Sequence, residues 1–131
     1  MAIVVVDASV LIAQFDASDV HHAGAAVALR EAGTDELVVP ASAYAEVLVR
    51  PYRREGARAV AQADRFLAEI GARIEPIGTS IAKRAAYLRS SYTGLRLPDA
   101  FVLATGDVLG ADRVLTADRT VAKFSRRVRP I

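Results

Sequence analysis

Asp7, Glu46, Asp99 and Asp118 are the residues of this chain whose type and surroundings point to chemistry. Asp7 interrupts the apolar run Ile3-Val4-Val5-Val6-Asp7-Ala8-Ser9-Val10-Leu11-Ile12, where a strand passes into the next element. A buried, unpaired carboxylate costs roughly several kcal/mol, so Asp7 needs a cation, a hydrogen-bond partner or a proton. No Lys or Arg precedes Arg30, so no local cation is on offer. A metal ion shared with the other acids is one answer. Magnesium and manganese are hard cations that prefer carboxylate oxygen and water and need neither histidine nor cysteine. Such a centre can polarise a phosphate oxygen, generate a hydroxide-like nucleophile and stabilise a leaving oxygen, and phosphodiester hydrolysis is the matching reaction class.

Each acid also has an ordinary reading. Asp7 can cap the following helix through the Ser9 or Val10 amide. Asp99, just after Pro98, sits at a helix start, where a carboxylate gains roughly 0.3–1 kcal/mol from the helix dipole. Asp118 can cap a helix beginning at Arg119. Glu46 lies among Ala43, Tyr44, Ala45, Val47, Leu48 and Val49, and can snorkel or pair with Arg50 at i,i+4. Taken together these readings require four coincidences at one edge of one sheet. Ser9 lacks a neighbouring base and so is no nucleophile; two residues after Asp7 it can hydrogen-bond a carboxylate or a metal-bound water. Thr116, two residues before Asp118, can do the same. His21 and His22 are adjacent and cannot face one ligand from a helix. No GxxxxGK[ST] or GxGxxG stretch is present, which removes nucleoside-triphosphate and dinucleotide chemistry.

The elements that must position these residues alternate. Ala2 to Val6 reads as a buried strand and Ser9 to Phe15 as a helix, followed by a turn at Asp16–Asp19. Ser18 or Asp19 is expected to cap a helix over Val20 to Glu31 that stops near Gly33. Leu37 to Val39 is a strand stopped by Pro40. Ser42 to Val49 is a helix that Pro51 is expected to end, and Gly56 to Ile70 a longer amphipathic helix. Arg73 to Ile77 is a third strand, and Thr79 is expected to cap a helix reaching about Ser91. Tyr92 to Leu97 is a loop, Pro98 suits the first helical position, and Ala100 to Leu109 is an apolar helix. Arg113 to Thr116 is a fourth strand, a short helix follows Asp118, and Arg127 to Pro130 is a final edge strand. This alternation argues for a parallel sheet covered on both faces, with ligands at the carboxyl ends of its strands.

With 131 residues, 53% of them apolar, the chain fits one domain with a full core. It contains no cysteine, which excludes disulfides, thiolate zinc sites and cysteine nucleophiles. No signal-like or membrane-spanning apolar run is present, so a cytoplasmic, soluble protein is expected. The net charge is +2 and the isoelectric point about 9.3. Arg50, Arg53, Arg54 and Arg58 form one basic group, and Lys123, Arg126, Arg127 and Arg129 another. Either could follow a phosphate backbone or serve as a solvated face.

Val5-Val6-Asp7-Ala8-Ser9, Ala45-Glu46-Val47, Leu97-Pro98-Asp99-Ala100 and Leu115-Thr116-Ala117-Asp118 together resemble the four motifs of PIN-domain ribonucleases, in particular the VapC toxins of bacterial type II toxin–antitoxin systems. The likeness runs through nearly the whole chain and implies a single PIN domain over residues 1–131. The implied fold is α/β, a three-layer α/β/α arrangement with a central parallel sheet of four to five strands. It further implies a magnesium- or manganese-dependent endoribonuclease, a homodimer, and inhibition by a VapB-type antitoxin. Asp7, Glu46, Asp99 and Asp118 then form the catalytic, metal-holding quartet, Ser9 and Thr116 support it, and Arg50, Arg53, Arg54 and Arg58 bind RNA. One departure concerns the fourth acid. Many relatives follow it closely with a second aspartate and a phenylalanine, whereas here Thr120 and Val121 intervene before Phe124. Asp112 is a rival for that position, but it precedes the fourth strand and is expected at the opposite sheet edge. Two alternatives stand beside this reading. A catalytically silent PIN-like module binding RNA or protein is separable by a metal-titrated cleavage assay. A phosphoacceptor domain would need an aspartate ending the third strand, which Ile74-Glu75-Pro76-Ile77 lacks.

Overall fold

The computed structural model describes residues 1–131. Five short strands, β1 (Ile3–Val6), β2 (Glu36–Pro40), β3 (Arg73–Glu75), β4 (Arg113–Thr116) and β5 (Val128–Pro130), pair in parallel in the order β3-β2-β1-β4-β5. Between them run α1 (Ala8–Phe15), α2 (His22–Glu31), α3 (Ala41–Arg54), α4 (Ala57–Glu69), α5 (Thr79–Ser91) and α6 (Leu97–Leu109), with a 3₁₀ helix over Arg119–Phe124. Chain direction across the sheet reverses after β3. Right-handed crossovers therefore put α1 to α4 on one face and α5 and α6 on the other. The result is the expected three-layer α/β/α fold.

Val4, Val5 and Val6 are fully buried, as a central strand covered on both faces requires, and they anchor a contiguous core that includes Leu11, Leu37, Val38, Leu103 and Val114. Val6 aligns with Leu115 across the β1–β4 pair, so these two strands release the chain side by side at their carboxyl ends. There the strand order turns back on itself, leaving the crevice in which parallel sheets bind ligands. Close packing of α6 on β4 fixes the depth of that crevice. A Cβ at Gly106 would stand 3.0 Å from Val114 Cγ2, so the absence of a side chain there lets α6 lie close against β4.

Several element ends differ from expectation, each for a local reason. Pro51 does not end α3, which continues to Arg54. Although proline cannot donate, its carbonyl still accepts the Glu55 and Gly56 amides, both at 3.0 Å, and the last turn closes. Neither Ser18 nor Asp19 caps α2. Ser18 donates to Asp16, Asp19 accepts the His21 amide at 2.8 Å, and the helix starts two residues later than expected, at His22. Thr79 is the first residue of α5 rather than its cap, the Gly78 position serving without a side-chain bond. Pro98 is the second residue of α6, after Leu97, and β3 stops at Glu75.

Candidate active site

Asp7 occupies the junction of β1 and α1. Its Oδ1 accepts the Ala8 amide at 2.9 Å, so it does cap α1, through Ala8 rather than Ser9 or Val10. Its Oδ2 accepts from the Ser9 hydroxyl at 2.7 Å and the Thr116 hydroxyl at 3.0 Å. Both hydroxyls are held from behind, because Ser9 Oγ accepts the Ala117 amide at 2.9 Å and Thr116 Oγ1 the Asp118 amide at 3.0 Å. Each single proton is thus committed to the same carboxylate oxygen. Ser9 has no proton to give elsewhere, and Asp7 is locked in one rotamer. A carboxylate offers about four lone-pair sites, and with three taken by protein donors the remaining one lies on Oδ1. Asp7 therefore caps α1 and at the same time accepts bonds from Ser9 and Thr116.

Asp118 leaves β4 two residues after Thr116 and caps the 3₁₀ helix, its Oδ1 accepting the Thr120 amide at 2.9 Å and the Thr120 hydroxyl at 2.7 Å. Thr120, which interrupts the relatives' usual pattern, thereby orients the fourth acid. Asp112 lies at the other end of β4, where it accepts the Ile3 amide at 2.9 Å and ties together the amino ends of β1 and β4. It stands at the opposite end of the strand from Asp118, as expected.

Asp99 stands in the first turn of α6 with its side chain 15% exposed, and Arg96 Nε donates to its Oδ2 at 3.2 Å. Glu46 projects from α3 on the exposed rim. Its expected i,i+4 partner Arg50 turns instead to Asp16, at 3.1 Å, across the neighbouring groove. Burial pushes the Glu46 carboxyl up, and the charges of Asp7 and Asp99 push it further, with Arg96 opposing. Burial also raises the Asp99 carboxyl. The Arg96 guanidinium pulls it back, while Asp7 and Asp118 add to the rise. The four acids therefore share one electrostatic neighbourhood, although no three of them close into a compact ligand group. Their donor chemistry, oxygen throughout, suits a hard divalent cation.

The basic residues divide. Arg50, Arg53 and Arg54 line a groove between α1, α3 and α4 that reaches Glu46, with Phe15 and Phe66 meeting edge to face on its wall, 5.1 Å between centroids. Tyr44 donates to Asp64 at 2.5 Å and clamps α3 to α4; that bond, then burial, pushes the Tyr44 hydroxyl up to about 12. Arg58 is exposed on α4 outside the groove lining. In the second basic group Arg127 is held by Asp107 and the Ala111 carbonyl, and Arg129 by the Arg126 and Val128 carbonyls, which makes both residues structural. Arg96 escaped the sequence reading. The signal was a cation three residues before Asp99 at a helix start.

Solved structures that share this fold include three from toxin or toxin–antitoxin proteins. VapC20 of Mycobacterium tuberculosis, described as a sarcin-ricin loop cleaving toxin, is 20% identical, with 92% of this chain and 93% of that one covered and a TM-score of 0.73. A toxin–antitoxin complex from Klebsiella pneumoniae is 26% identical over 98% and 99% of the two chains, TM-score 0.73. VapBC2 from Rickettsia felis, bound to a DNA fragment from its promoter, is 10% identical over 98% of each chain, TM-score 0.81. A search of curated proteins returns no match. The sequence model of the PIN domain matches residues 4–127, which takes in all four acids and every strand up to β4. The chain belongs to the PIN-domain family.

Proposed function

We propose that this chain is a magnesium- or manganese-dependent endoribonuclease and the toxin of a type II toxin–antitoxin pair. The observation that carries the reading is the gathering of Asp7, Glu46, Asp99 and Asp118 at the point where the strand order reverses, with too few cations to balance them. Likeness to a toxin described as cleaving the sarcin-ricin loop and to two toxin–antitoxin assemblies supports it. A divalent ion bound by these carboxylates supplies a lowered water pKa and neutralises phosphate charge. Asp7, immobilised by Ser9 and Thr116, presents its free Oδ1 lone pair without reorganising. Asp99 and Asp118 are oriented by Arg96 and Thr120. Glu46, raised by burial and by its neighbours, is suited to take a proton from the attacking water. The water oxygen bonds to phosphorus, the bond to the 3′ oxygen breaks, and that oxygen takes a proton from solvent, to which Glu46 returns the one it accepted, which leaves a 5′-phosphate and a 3′-hydroxyl. Arg50, Arg53 and Arg54 draw the RNA backbone along the adjoining groove, and Arg58 adds charge beside it.

A VapB-type antitoxin, a homodimer and a cytoplasmic setting belong to the same reading. No helix is long and apolar enough to cross a membrane. The absence of a closed ligand group favours a second reading, a catalytically silent module that binds RNA or protein. One experiment separates the two. Purified protein is incubated with total bacterial RNA in manganese or in chelator, and new 5′ ends are sequenced. Metal-dependent ends that vanish in Asp99→Asn are expected; no new ends in manganese, or in magnesium used in its place, would sink the nuclease reading.

A further inference from the structure

Arg96 is a cation placed where the helix it precedes does not want one. It occupies the N-cap position of α6, at the positive end of the helix dipole, and its side chain makes no capping bond. Its backbone carbonyl accepts the Ala100 amide at 2.9 Å, and this is its whole contribution to the helix. The side chain is 72% exposed and holds Asp99 through Nε alone. Of the five N–H donors of a guanidinium, the other four are left to solvent. Such an exposed, singly bonded ion pair adds little to stability. What it does is supply positive charge to the acids, since its field reaches Asp99, Asp118 and Glu46 alike.

We propose that Arg96 is a displaceable counter-ion of the acidic site that becomes its phosphate-binding residue: it gives up Asp99 to a divalent ion and turns its free donors to a non-bridging oxygen of the RNA phosphate. This inference rests on the nuclease reading and adds a residue to it. Its physical basis is competition. A guanidinium and a divalent ion cannot both hold the same carboxylate without repelling each other, and the released guanidinium is adjacent to where the phosphate must sit. Planar, bidentate donors make arginine well matched to phosphate oxygens.

The test compares wild type, Arg96→Gln and Arg96→Lys in two measurements. Manganese binding is followed by the paramagnetic resonance signal of the free ion. Cleavage is followed on an RNA oligonucleotide spanning a site from the 5′-end map above. All three proteins should fold alike, because the side chain is exposed and caps nothing. For Arg96→Gln the manganese dissociation constant is expected to fall about two- to five-fold, the range an exposed ion pair covers. Its kcat/KM is expected to fall roughly ten-fold or more, mainly through KM, as a charged hydrogen bond to phosphate is lost. Arg96→Lys keeps the charge and should bind manganese within about two-fold of wild type. The proposal is overturned if wild type binds manganese and cuts while Arg96→Gln binds it no more tightly, or cuts as fast. Tight binding by Arg96→Lys equal to that of Arg96→Gln also overturns it. If wild type itself neither binds manganese nor cuts, the nuclease reading has failed and takes the proposal with it, and that outcome is recognised without either variant.

Discussion

The two edges of the sheet carry acids of the same kind and treat them in opposite ways. At the amino edge Asp35 pairs with Arg113 at 2.8 Å, Glu36 with Arg73 at 2.8 Å, and Asp112 accepts the Ile3 amide. At the carboxyl edge Asp7 is held by hydroxyls and an amide, Asp118 by the amide and hydroxyl of Thr120, and Asp99 alone has a cation. Each of these six acids has a hydrogen-bond partner. At the amino edge two of the three acids are paired with a cation, whereas at the carboxyl edge only one of the four is. Asp35 and Glu36 are neutralised where they stand, whereas the carboxyl edge keeps a negative surplus that folding alone does not require.

The sharpest way to break this comparison is to neutralise one acid at each edge. Asp7→Asn or Asp99→Asn should lower metal-dependent cleavage by at least about 10²-fold, more than disturbing a ligand's outer partners costs. Asp112→Ala should leave cleavage unchanged and cost about 1 kcal/mol of stability through the lost bond to Ile3. Initial rates and urea midpoints on the same preparations decide it, and equal rates at both edges would erase the distinction.

Next in size are the two hydroxyls that give Asp7 its bonds without giving it charge. Thr116→Val and Ser9→Ala each free Asp7 to rotate and leave a backbone amide without its acceptor. Cleavage should fall roughly 10- to 100-fold in each, as for other residues that orient metal-binding groups. A rate within two-fold of wild type in both would make the carboxylate's locked geometry irrelevant. A smaller effect separates the two arginine groups. Arg53→Glu with Arg54→Glu should flatten the salt dependence of RNA binding by roughly one unit per lost phosphate contact. Arg127→Glu should lower stability instead, since Arg127 ties β5 to Asp107 and the Ala111 carbonyl.

Strand ends and acids were legible in the sequence because each has a local cause. A carboxylate after Val4-Val5-Val6, or two residues past Val114-Leu115-Thr116, marks a strand end through the break in hydrophobic patterning, and parallel topology then brings both ends to one side. Cap identity was not legible. Ser18 and Asp19 could each have started α2, and the choice went to bonds inside the preceding turn. Pro51 carried a strong local signal that was outweighed, because the lost donor lay near the helix end and the Pro51 carbonyl still closes the last turn on the Glu55 and Gly56 amides. Partner choice among charges was legible least of all. Arg50 looked toward Glu46 along the helix but met Asp16, which only tertiary packing brings near, and Arg127 looked like part of a basic tail but is anchored.

The smallest effect tests the surplus charge itself, through stability without metal. Asp99 has its carboxyl raised above the ordinary aspartate value of about 3.9, first by burial and further by Asp7 and Asp118, with Arg96 only partly offsetting. The folded protein then binds a proton at Asp99 more readily than the unfolded chain does. Above the raised folded value, the ionised group opposes folding; as pH falls through that value toward the ordinary one, the opposition disappears. Asp99→Asn removes the charge at every pH. In chelator the variant should therefore melt slightly above wild type at pH 7 to 8, and the gap should close as pH falls toward about 4. Millimolar manganese should reverse the order, since wild type gains stability by mass action and the variant gains less. A carboxylate serving only the α6 dipole predicts the opposite, a variant that melts lower by an equivalent of about 0.3–1 kcal/mol in chelator, with no dependence on metal. If the melts follow that second pattern, Asp99 belongs with the acids of the amino edge and the contrast between the two edges collapses.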